Sequence, residues 1–153
     1  MRKMLLAAVA VAVVATASLG SAGAFASTPR ARSTTIRLTA HFTHQEIVDT
    51  GPTGPSPGDV QVGIGTLSRG GKVVGRFGLV CEFLTVGQNP TANCSTTGRL
   101  PHGTITLEGF SNQASDDQTW AVVGGTGNYR DAAGQALIHG VDDTTSEVTI
   151  ELD

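Results

Sequence analysis

Two short apolar runs joined by a glycine-rich turn constrain the fold of this chain more than any other sequence feature. The first run covers residues 120–123, the turn reads Gly-Gly-Thr-Gly, and the second run begins at Gly134. Short β-branched runs are typical of buried strands, and glycine allows positive φ or close backbone approach between them. A phosphate-binding loop is the alternative, but Arg130 occupies the third glycine position of that fingerprint and no helix of useful length follows. The pattern favours a tight turn between two strands.

The remaining residues after position 33 alternate between apolar and polar with the period of a strand, and no helical periodicity is found there. The pattern predicts seven strands: residues 34–44, 60–69, 72–86, 100–110, 119–124, 134–141, and a last strand through Val148, Ile150 and Leu152. Residues 50–59 and 87–98 are predicted to be loops. The class is therefore an all-β meander. A closed antiparallel meander needs an even number, so an eighth strand is expected from residues 45–49 or from a break within residues 72–86.

The first 26 residues have the pattern of a secretory signal peptide. A basic start precedes an Ala-, Val- and Leu-rich stretch, and residues 24–26, Ala-Phe-Ala, form a small-residue cleavage signal. We therefore predict a signal peptide at 1–26, a flexible leader at 27–33, one domain at 34–153, and a secreted protein. Loss of Arg2 and Lys3 leaves eight basic residues against 13 acidic ones, a net charge of −5. This charge disfavours nucleic acid and anionic membrane surfaces as partners.

The two cysteines predict a disulfide. Paired cysteines are usual in exported proteins, and Cys81 lies in a predicted strand while Cys94 lies in the loop that follows it. A bridge between them would tie this loop to the strand. The histidines do not predict a metal site, because His41 and His44 are three residues apart and point to opposite faces of a strand.

Three stretches in order resemble the allene oxide cyclase and dirigent barrel superfamily. They are AVVGGTGNYRDAAGQA at the glycine-rich turn, Pro-Gly-Asp-Val at residues 57–60, and residues 103–109. The resemblance covers roughly residues 34–152. It implies a single eight-stranded antiparallel β-barrel, whose interior holds side chains or one small ligand. It also implies a homotrimer, and it suggests an unpaired, cavity-lining Cys81 as the alternative to the disulfide.

The resemblance implies a barrel that binds a small apolar molecule and acts without a cofactor as a cyclase, isomerase or dirigent-like stereo-guiding protein. The alternative is a non-catalytic exported barrel that binds a ligand or serves a structural or assembly role. The allene oxide cyclase pattern has a catalytic Glu near the end of the first strand, where this chain has His44. The His-Asp pair of dirigent proteins is matched only loosely by His44-Gln-Glu46. These departures argue against allene oxide cyclase activity itself.

The candidate site is an apolar cavity that opens beside the 50–59 loop. The aromatic residues expected to line it are Phe42, Phe77, Phe83 and Trp120. Glu46 and Asp49 are the candidate acids at its rim, and His44 is the candidate proton carrier because its ordinary pKa lies near neutrality. A lumen smaller than roughly 300 Å³ would leave no room for a substrate.

One question about the long strand stays open at the level of sequence. Arg76 and Glu82 share one face, and Phe77, Cys81 and Phe83 share the other. If the Phe-rich face points inward, the two charges contact solvent or another subunit. If it points outward, the barrel contains an internal acid and base.

Overall fold

The structure is a computed structural model that describes residues 34–153. In this range, the alternation of apolar and polar residues in the sequence gives eight antiparallel strands. They are β1 (Thr34–Val48), β2 (Val60–Arg69), β3 (Lys72–Thr85), β4 (Thr91–Leu100), β5 (Gly103–Asn112), β6 (Asp117–Gly125), β7 (Gly134–Gly140) and β8 (Thr145–Leu152). Each strand pairs with the next, and β8 pairs with β1, so the sheet closes into a barrel. The predicted eight-stranded barrel is confirmed. The predicted signal peptide and leader lie outside the described residues.

The interior of the barrel takes alternate residues of every strand, as a closed sheet requires. The strands β1, β2, β5, β6 and β8 contribute aliphatic or aromatic side chains to the buried set. β7 contributes only Ala136 and β3 only Cys81, and β4 contributes Ala92, Cys94 and Leu100. The buried apolar residues are Ile36, Leu38, Ala40, Leu67, Cys81, Ala92, Cys94, Leu100, Ile105, Leu107, Trp120, Val122, Ala136, Val148 and Ile150. Within the described residues, no helix is both long enough and apolar enough to cross a membrane.

The eighth strand is β4, in the region where the sequence predicted a loop. Its inward residues, Ala92, Cys94, Thr96 and Gly98, alternate correctly but are small or polar. Small inward side chains carry little apolar signal, so the stretch has the composition of a loop. The expectation that the eighth strand would come from residues 45–49 or from a break in residues 72–86 was therefore wrong. Residues 45–48 instead continue β1.

An irregularity in β1 decides which of its side chains face inward. The register against β2 shifts between Phe42 and His44. An extra residue in one strand reverses which face the following side chains occupy. Phe42 and Gln45 consequently both contact the lumen, whereas His44 is exposed.

The Phe-rich face of β3 points into the barrel. Phe77, Leu79 and Cys81 line the lumen, while Arg76 and Glu82 are exposed on the outer surface. This settles the question left open by the sequence, and the barrel contains no internal Arg76–Glu82 acid and base.

Cys81 and Cys94 form the predicted disulfide. They are directly opposite each other on β3 and β4, with Cα atoms 4.0 Å apart. The pairing confirms the predicted bridge and rules out a free Cys81, although the bridge joins two strands and not a strand and a loop. For a sequence separation of 13, the chain-entropy model gives a stabilisation of about 3 kcal/mol.

The two ends of the barrel differ. At one end, the connection between β6 and β7 contains a short 3-10 helix, Gly127–Tyr129, and Tyr129 packs against the core. The Asn128 amide donates to the His102 carbonyl at 2.9 Å. Gly127 has φ +61°, and a Cβ there would strike the His102 carbonyl oxygen, so glycine is required for this close approach. The glycine-rich turn therefore covers this end of the barrel.

Candidate functional site

The other end of the barrel opens into a cavity of about 520 Å³. We call this end the mouth; it carries the connections at residues 49–59, 86–90, 113–116 and 141–144. The walls below the mouth are mainly apolar, and their apolar part is called the floor. Its side chains are Leu38, Ala40, Phe42, Leu67, Phe77, Leu79, Leu100, Ile105, Leu107, Trp120, Ile138, Val148 and Ile150. The volume exceeds the roughly 300 Å³ at the low end for ligand sites.

Two phenylalanines form an aromatic pair on one side of the floor. The ring centroids of Phe42 and Phe77 are 4.9 Å apart, and the planes meet at 74°, an edge-to-face contact. Gly63 and Gly65 of β2 face these rings. A Cβ on Gly63 would lie 2.6 Å from Phe42 Cε1, and one on Gly65 would lie 2.5 Å from Phe77 Cε1. The rings occupy space that only glycine leaves free.

Trp120 contributes the largest ring of the floor and is only 7% exposed. Its indole lies over Gly109 of β5, where a side chain would collide with Cδ1 and Cγ of the ring. Within residues 34–153, the indole Nε1–H has no hydrogen-bond acceptor. The floor therefore contains a buried donor without a partner.

Polar side chains surround the mouth. Gln45 Nε2 donates to the Asp143 carbonyl at 2.9 Å, and Gln61 Nε2 donates to Gln45 Oε1 at 3.3 Å. Gln113 Nε2 donates to Ser111 Oγ at 3.1 Å. These bonds hold the amides at the rim, where they can interact with the polar end of a molecule whose apolar part lies on the floor.

The ionisable groups that line the cavity are all aspartates at the mouth: Asp116, Asp142 and Asp143. Asp142 Oδ1 accepts from the Thr144 amide at 2.8 Å and from its hydroxyl at 2.9 Å. These hydrogen bonds from Thr144 lower the pKa of Asp142. The carboxylates of Asp116 and Asp143 accept no hydrogen bond from residues 34–153, and no lysine, arginine or histidine of this range lines the cavity. The mouth is therefore acidic.

The structure does not bring the predicted acid-base residues to the cavity. His44 and Glu46 lie beside each other on the outer surface, with Nε2 and Oε2 3.8 Å apart. Asp49 accepts a hydrogen bond from the Gly54 amide at 2.9 Å, outside the lumen. The register shift in β1 explains the placement of His44 and Glu46, because it turns them outward and turns Gln45 inward.

Three of the four predicted aromatic residues lie in the cavity wall. Phe42, Phe77 and Trp120 line the cavity. Phe83 has the same inward direction and packs against the core, but it lies beyond the cavity, where its amide donates to the Asp59 carbonyl at 2.9 Å.

The loop at residues 50–59 is ordered by the carboxylate of Asp59, which is 2% exposed. Its carboxylate accepts from the amides of Ser56 at 2.8 Å and Thr50 at 3.1 Å. None of the loop residues lines the cavity. The cavity opens at the predicted end of the barrel, but the connections that line its mouth are those at 113–116 and 141–144.

The acids that sequence reasoning missed, Asp116 and Asp143, have a recognisable signal. Each belongs to a pair of adjacent aspartates in a short connection. In an up-and-down barrel, alternate connections lie at the same end, so both pairs share an end with the 50–59 loop. No group of three or more His, Cys, Asp or Glu side chains within residues 34–153 is placed to hold a metal ion.

Comparison with known proteins gives the same architecture. The model of a family described as allene oxide cyclase barrel like domain matches residues 36–152. A solved structure named pyocyanin demethylase is 29% identical, with TM-score 0.71, and the match covers 78% of this chain and all of that one. A pterocarpan synthase dirigent protein is 19% identical, with TM-score 0.65, covering 82% of this chain and 97% of that one.

A third solved structure, a Diels-Alderase from Streptomyces koyangensis, is 15% identical with TM-score 0.64. The match covers 78% of this chain and 63% of that protein. No curated protein sequence matches the chain significantly.

Proposed function

Because the chain belongs to the allene oxide cyclase barrel-like family, we propose that its barrel binds one small, largely apolar molecule in the lumen. The observation that carries the proposal is the 520 Å³ cavity with an apolar floor and a polar mouth. Apolar surface of the ligand is removed from water on the floor, and its polar end faces the amides and carboxylates of the rim.

The charges at the mouth limit which molecules enter. Asp116 and Asp143 lack partners within residues 34–153, and no basic side chain there lines the cavity. An incoming carboxylate or phosphate is therefore repelled, whereas an uncharged or cationic molecule is not. The ligand class is small, apolar over most of its surface, and not anionic.

We propose a cofactor-independent reaction of the cyclase, isomerase or dirigent type as the chemistry of this site. One side of the floor is shaped by the packed rings of Phe42 and Phe77. Such a surface favours one folded conformer of a flexible substrate, which lowers the entropic part of the barrier. Any proton transfer belongs at the mouth, where Asp116 and Asp143 replace His44 and Glu46 as the candidate bases.

A non-catalytic carrier of the same ligand class is the second candidate. It is favoured by the position of the ionisable groups, since all those that line the cavity lie at the mouth and the floor has none. A ligand held entirely on the floor would meet no acid or base. Carrier and enzyme thus share a binding site and differ in whether product forms.

Pyocyanin is the first probe, because the similar structure of 29% identity is named a demethylase of that compound. Purified residues 27–153 are equilibrated with pyocyanin by dialysis, with fluorene as an uncharged apolar comparison, and the mixtures are then analysed by mass spectrometry. Saturable binding with a product that differs from the probe in mass or chromatographic retention supports the enzyme, and binding without product supports the carrier. If neither compound binds saturably, the lumen is not a ligand site of the proposed kind.

We further propose that the protein is exported, with cleavage after Ala26, and assembles as a homotrimer. The signal-peptide pattern supports export, and the Cys81–Cys94 disulfide fits an oxidising compartment. Intact mass of material recovered from the medium tests the cleavage, and a product that retains residues 1–26 contradicts it. The trimer is supported by large apolar side chains exposed on the outer surface of β1–β3, among them Ile64 and Val80.

A further inference from the structure

The strongest unexplained feature of the lumen is the indole nitrogen of Trp120. Trp120 lines the cavity, its side chain is more than nine-tenths buried, and Nε1–H finds no acceptor within residues 34–153. Buried donors in proteins are nearly always paired, because an unpaired one loses its hydrogen bond to water and gains nothing in return. The unpaired indole N–H of Trp120 is an exception to this rule, and it lies in the wall of the candidate binding site.

Other polar side chains along the lumen already donate within the barrel. The Thr96 hydroxyl donates to the Gly78 carbonyl at 2.9 Å, and Gln113 donates to Ser111 at 3.1 Å. Gln118 Nε2 donates to the Asn112 carbonyl at 2.8 Å. Trp120 differs from these side chains, because its buried indole N–H donates to no group within residues 34–153.

The wall beside Trp120 is also the least regular part of the barrel. The β5–β6 ladder pairs residues from Ile105–Gly125 to Glu108–Ala121, and no further pair is formed between these strands towards the mouth. The side chain of Gln118 bridges the gap, since its Oε1 accepts from the Asn112 amide at 3.2 Å. The indole therefore rests on Gly109 next to a stretch without backbone pairing, and not inside a continuous ladder.

We propose that Trp120 Nε1–H is the hydrogen-bond donor for the lumen ligand, and that the ligand has an acceptor such as a carbonyl oxygen or a ring nitrogen on its otherwise apolar body. This inference rests on the proposed function of the lumen as a binding site. Indole nitrogen donates and cannot accept, so the ligand group must be an acceptor. An anionic acceptor is disfavoured by Asp116 and Asp143 at the mouth.

The hydrogen bond requires a movement of the ring. Nε1 lies at a covered edge of the indole, whereas the ring itself borders the cavity. A tilt towards the lumen brings Nε1 to the ligand, and the cavity of about 520 Å³ provides the space. Ligand binding and reorientation of Trp120 are therefore coupled.

Nuclear magnetic resonance observes this group directly, because the chain has a single tryptophan. The 15N-labelled protein gives one indole N–H cross-peak, which is followed during titration with fluorenone and with fluorene. The two probes have nearly the same outline, but only fluorenone has an acceptor oxygen. We expect a downfield proton shift with fluorenone that fluorene does not produce.

The variant Trp120→Phe keeps an aromatic ring and removes the donor. We expect the ratio of its affinities for fluorenone and fluorene to fall roughly 5-fold, the value of a neutral hydrogen bond, because the loss of ring contact weakens both probes alike whereas the loss of the donor weakens only fluorenone. Equal losses for both probes, or no indole shift in the unmodified protein when fluorenone is bound, overturn the inference and leave the lumen as a binding site. Failure of both probes to bind overturns the inference and the proposed function together.

Discussion

Glycines inside the barrel determine where its aromatic rings can lie. Gly65 of β2 faces the lumen beneath Phe77, and a Cβ there would strike both that ring and the His41 carbonyl oxygen. The backbone carbonyl cannot move without disturbing the β1–β2 ladder. Gly78 pairs with the neighbouring residue Ile64 but is exposed, and the nearest atom to its hypothetical Cβ is 4.0 Å away.

We therefore predict that Gly65→Ala lowers the free energy of unfolding by about 1–3 kcal/mol, as overpacking does. Gly78→Ala is the matched control, and it should be neutral or stabilising by up to about 1 kcal/mol, since it restricts only the unfolded chain. Urea denaturation of the two variants measures both effects. Equal stability of the two variants would show that Phe77 does not pack on Gly65.

The aspartates at the mouth should determine the charge preference of the cavity. We predict that the double variant Asp116→Asn/Asp143→Asn binds fluorene-9-carboxylate roughly 3- to 10-fold more tightly at low ionic strength, because two repelling charges are removed. Its affinity for uncharged fluorene should not change. Equilibrium dialysis at low and high salt measures both affinities, and the gain should shrink in salt.

The control for this charge change is Asp131→Asn, which lies in the connection between β6 and β7, at the covered end of the barrel. Asp131 is exposed and pairs with Arg130 at 3.2 Å. If its removal improves carboxylate binding as much as the double variant does, general net charge and not the mouth controls selectivity.

Among the structural elements, the loop at residues 50–59 depends on one buried acid. The amides of Ser56 and Thr50 donate to the Asp59 carboxylate, and the Ser56 amide is the largest cause of its lowered pKa. A carboxyl group with a lowered folded-state pKa stabilises the fold above its unfolded value of 3.8. That contribution is lost as the pH falls through the lower, folded-state pKa.

We therefore predict that Asp59→Asn lowers the urea midpoint at pH 7, and that its difference from the unmodified protein shrinks once the pH is well below 3.8. The asparagine amide places a donor where two backbone donors converge, so the substitution also weakens the loop geometry. Urea titrations across this pH range test the prediction, with exposed Asp131→Asn as control. A difference that is constant with pH would mean that the charge of Asp59 contributes nothing.

At the same scale, the sequence predicted seven strands and missed β4, whose inward residues are small or polar and whose outward residues are polar. The strands β2, β3, β6 and β7 were recognisable because their apolar residues alternate with polar ones. The strand β4 was not, because Ala92, Cys94, Thr96 and Gly98 carry too little apolar character. The pairing of Cys81 with Cys94 was predictable from the cysteine count and the predicted export signal.

The site was less predictable than the fold for a physical reason. One extra residue in β1 turns His44 and Glu46 outward, and no composition signal marks that bulge. The aromatic lining depended only on strand parity and was largely predictable, as Phe42, Phe77 and Trp120 show. The acids at the mouth depend on which connections share an end, which follows only once all eight strands are known.

At the scale of the whole molecule, several large apolar side chains are exposed on the outer surface of β1–β3. Ile64 is 58% exposed and Val80 is 51% exposed, and Val80 pairs with Val62 across the two strands. Val48 and Leu84 are also exposed on these strands. Exposed apolar side chains on neighbouring strands are typical of an interface, and a second and third copy of the chain would cover them in the proposed trimer.

We predict a trimer mass by light scattering at micromolar concentration, and dissociation to monomers in the variant Ile64→Lys/Val80→Lys. Buried lysines at an apolar interface are costly, so the loss of assembly should be nearly complete. The variant Val123→Lys/Leu137→Lys makes the same change on the exposed faces of β6 and β7 and should remain trimeric. A monomer mass for the unmodified protein would contradict the trimer.

The central claim is that the lumen is the ligand site. The most direct test is to fill the lumen with a larger side chain. Thr96 lines the cavity, whereas its neighbour Thr97 is exposed on the outer face of the same strand. Fluorene binding is measured by equilibrium dialysis for the unmodified protein, Thr96→Phe and Thr97→Phe. We expect one saturable site per chain in the unmodified protein and in Thr97→Phe, and at least a roughly 10-fold loss of affinity in Thr96→Phe, since the added ring occupies the cavity. Undiminished binding to Thr96→Phe, with its fold intact by circular dichroism, would place the ligand outside the barrel and contradict the claim.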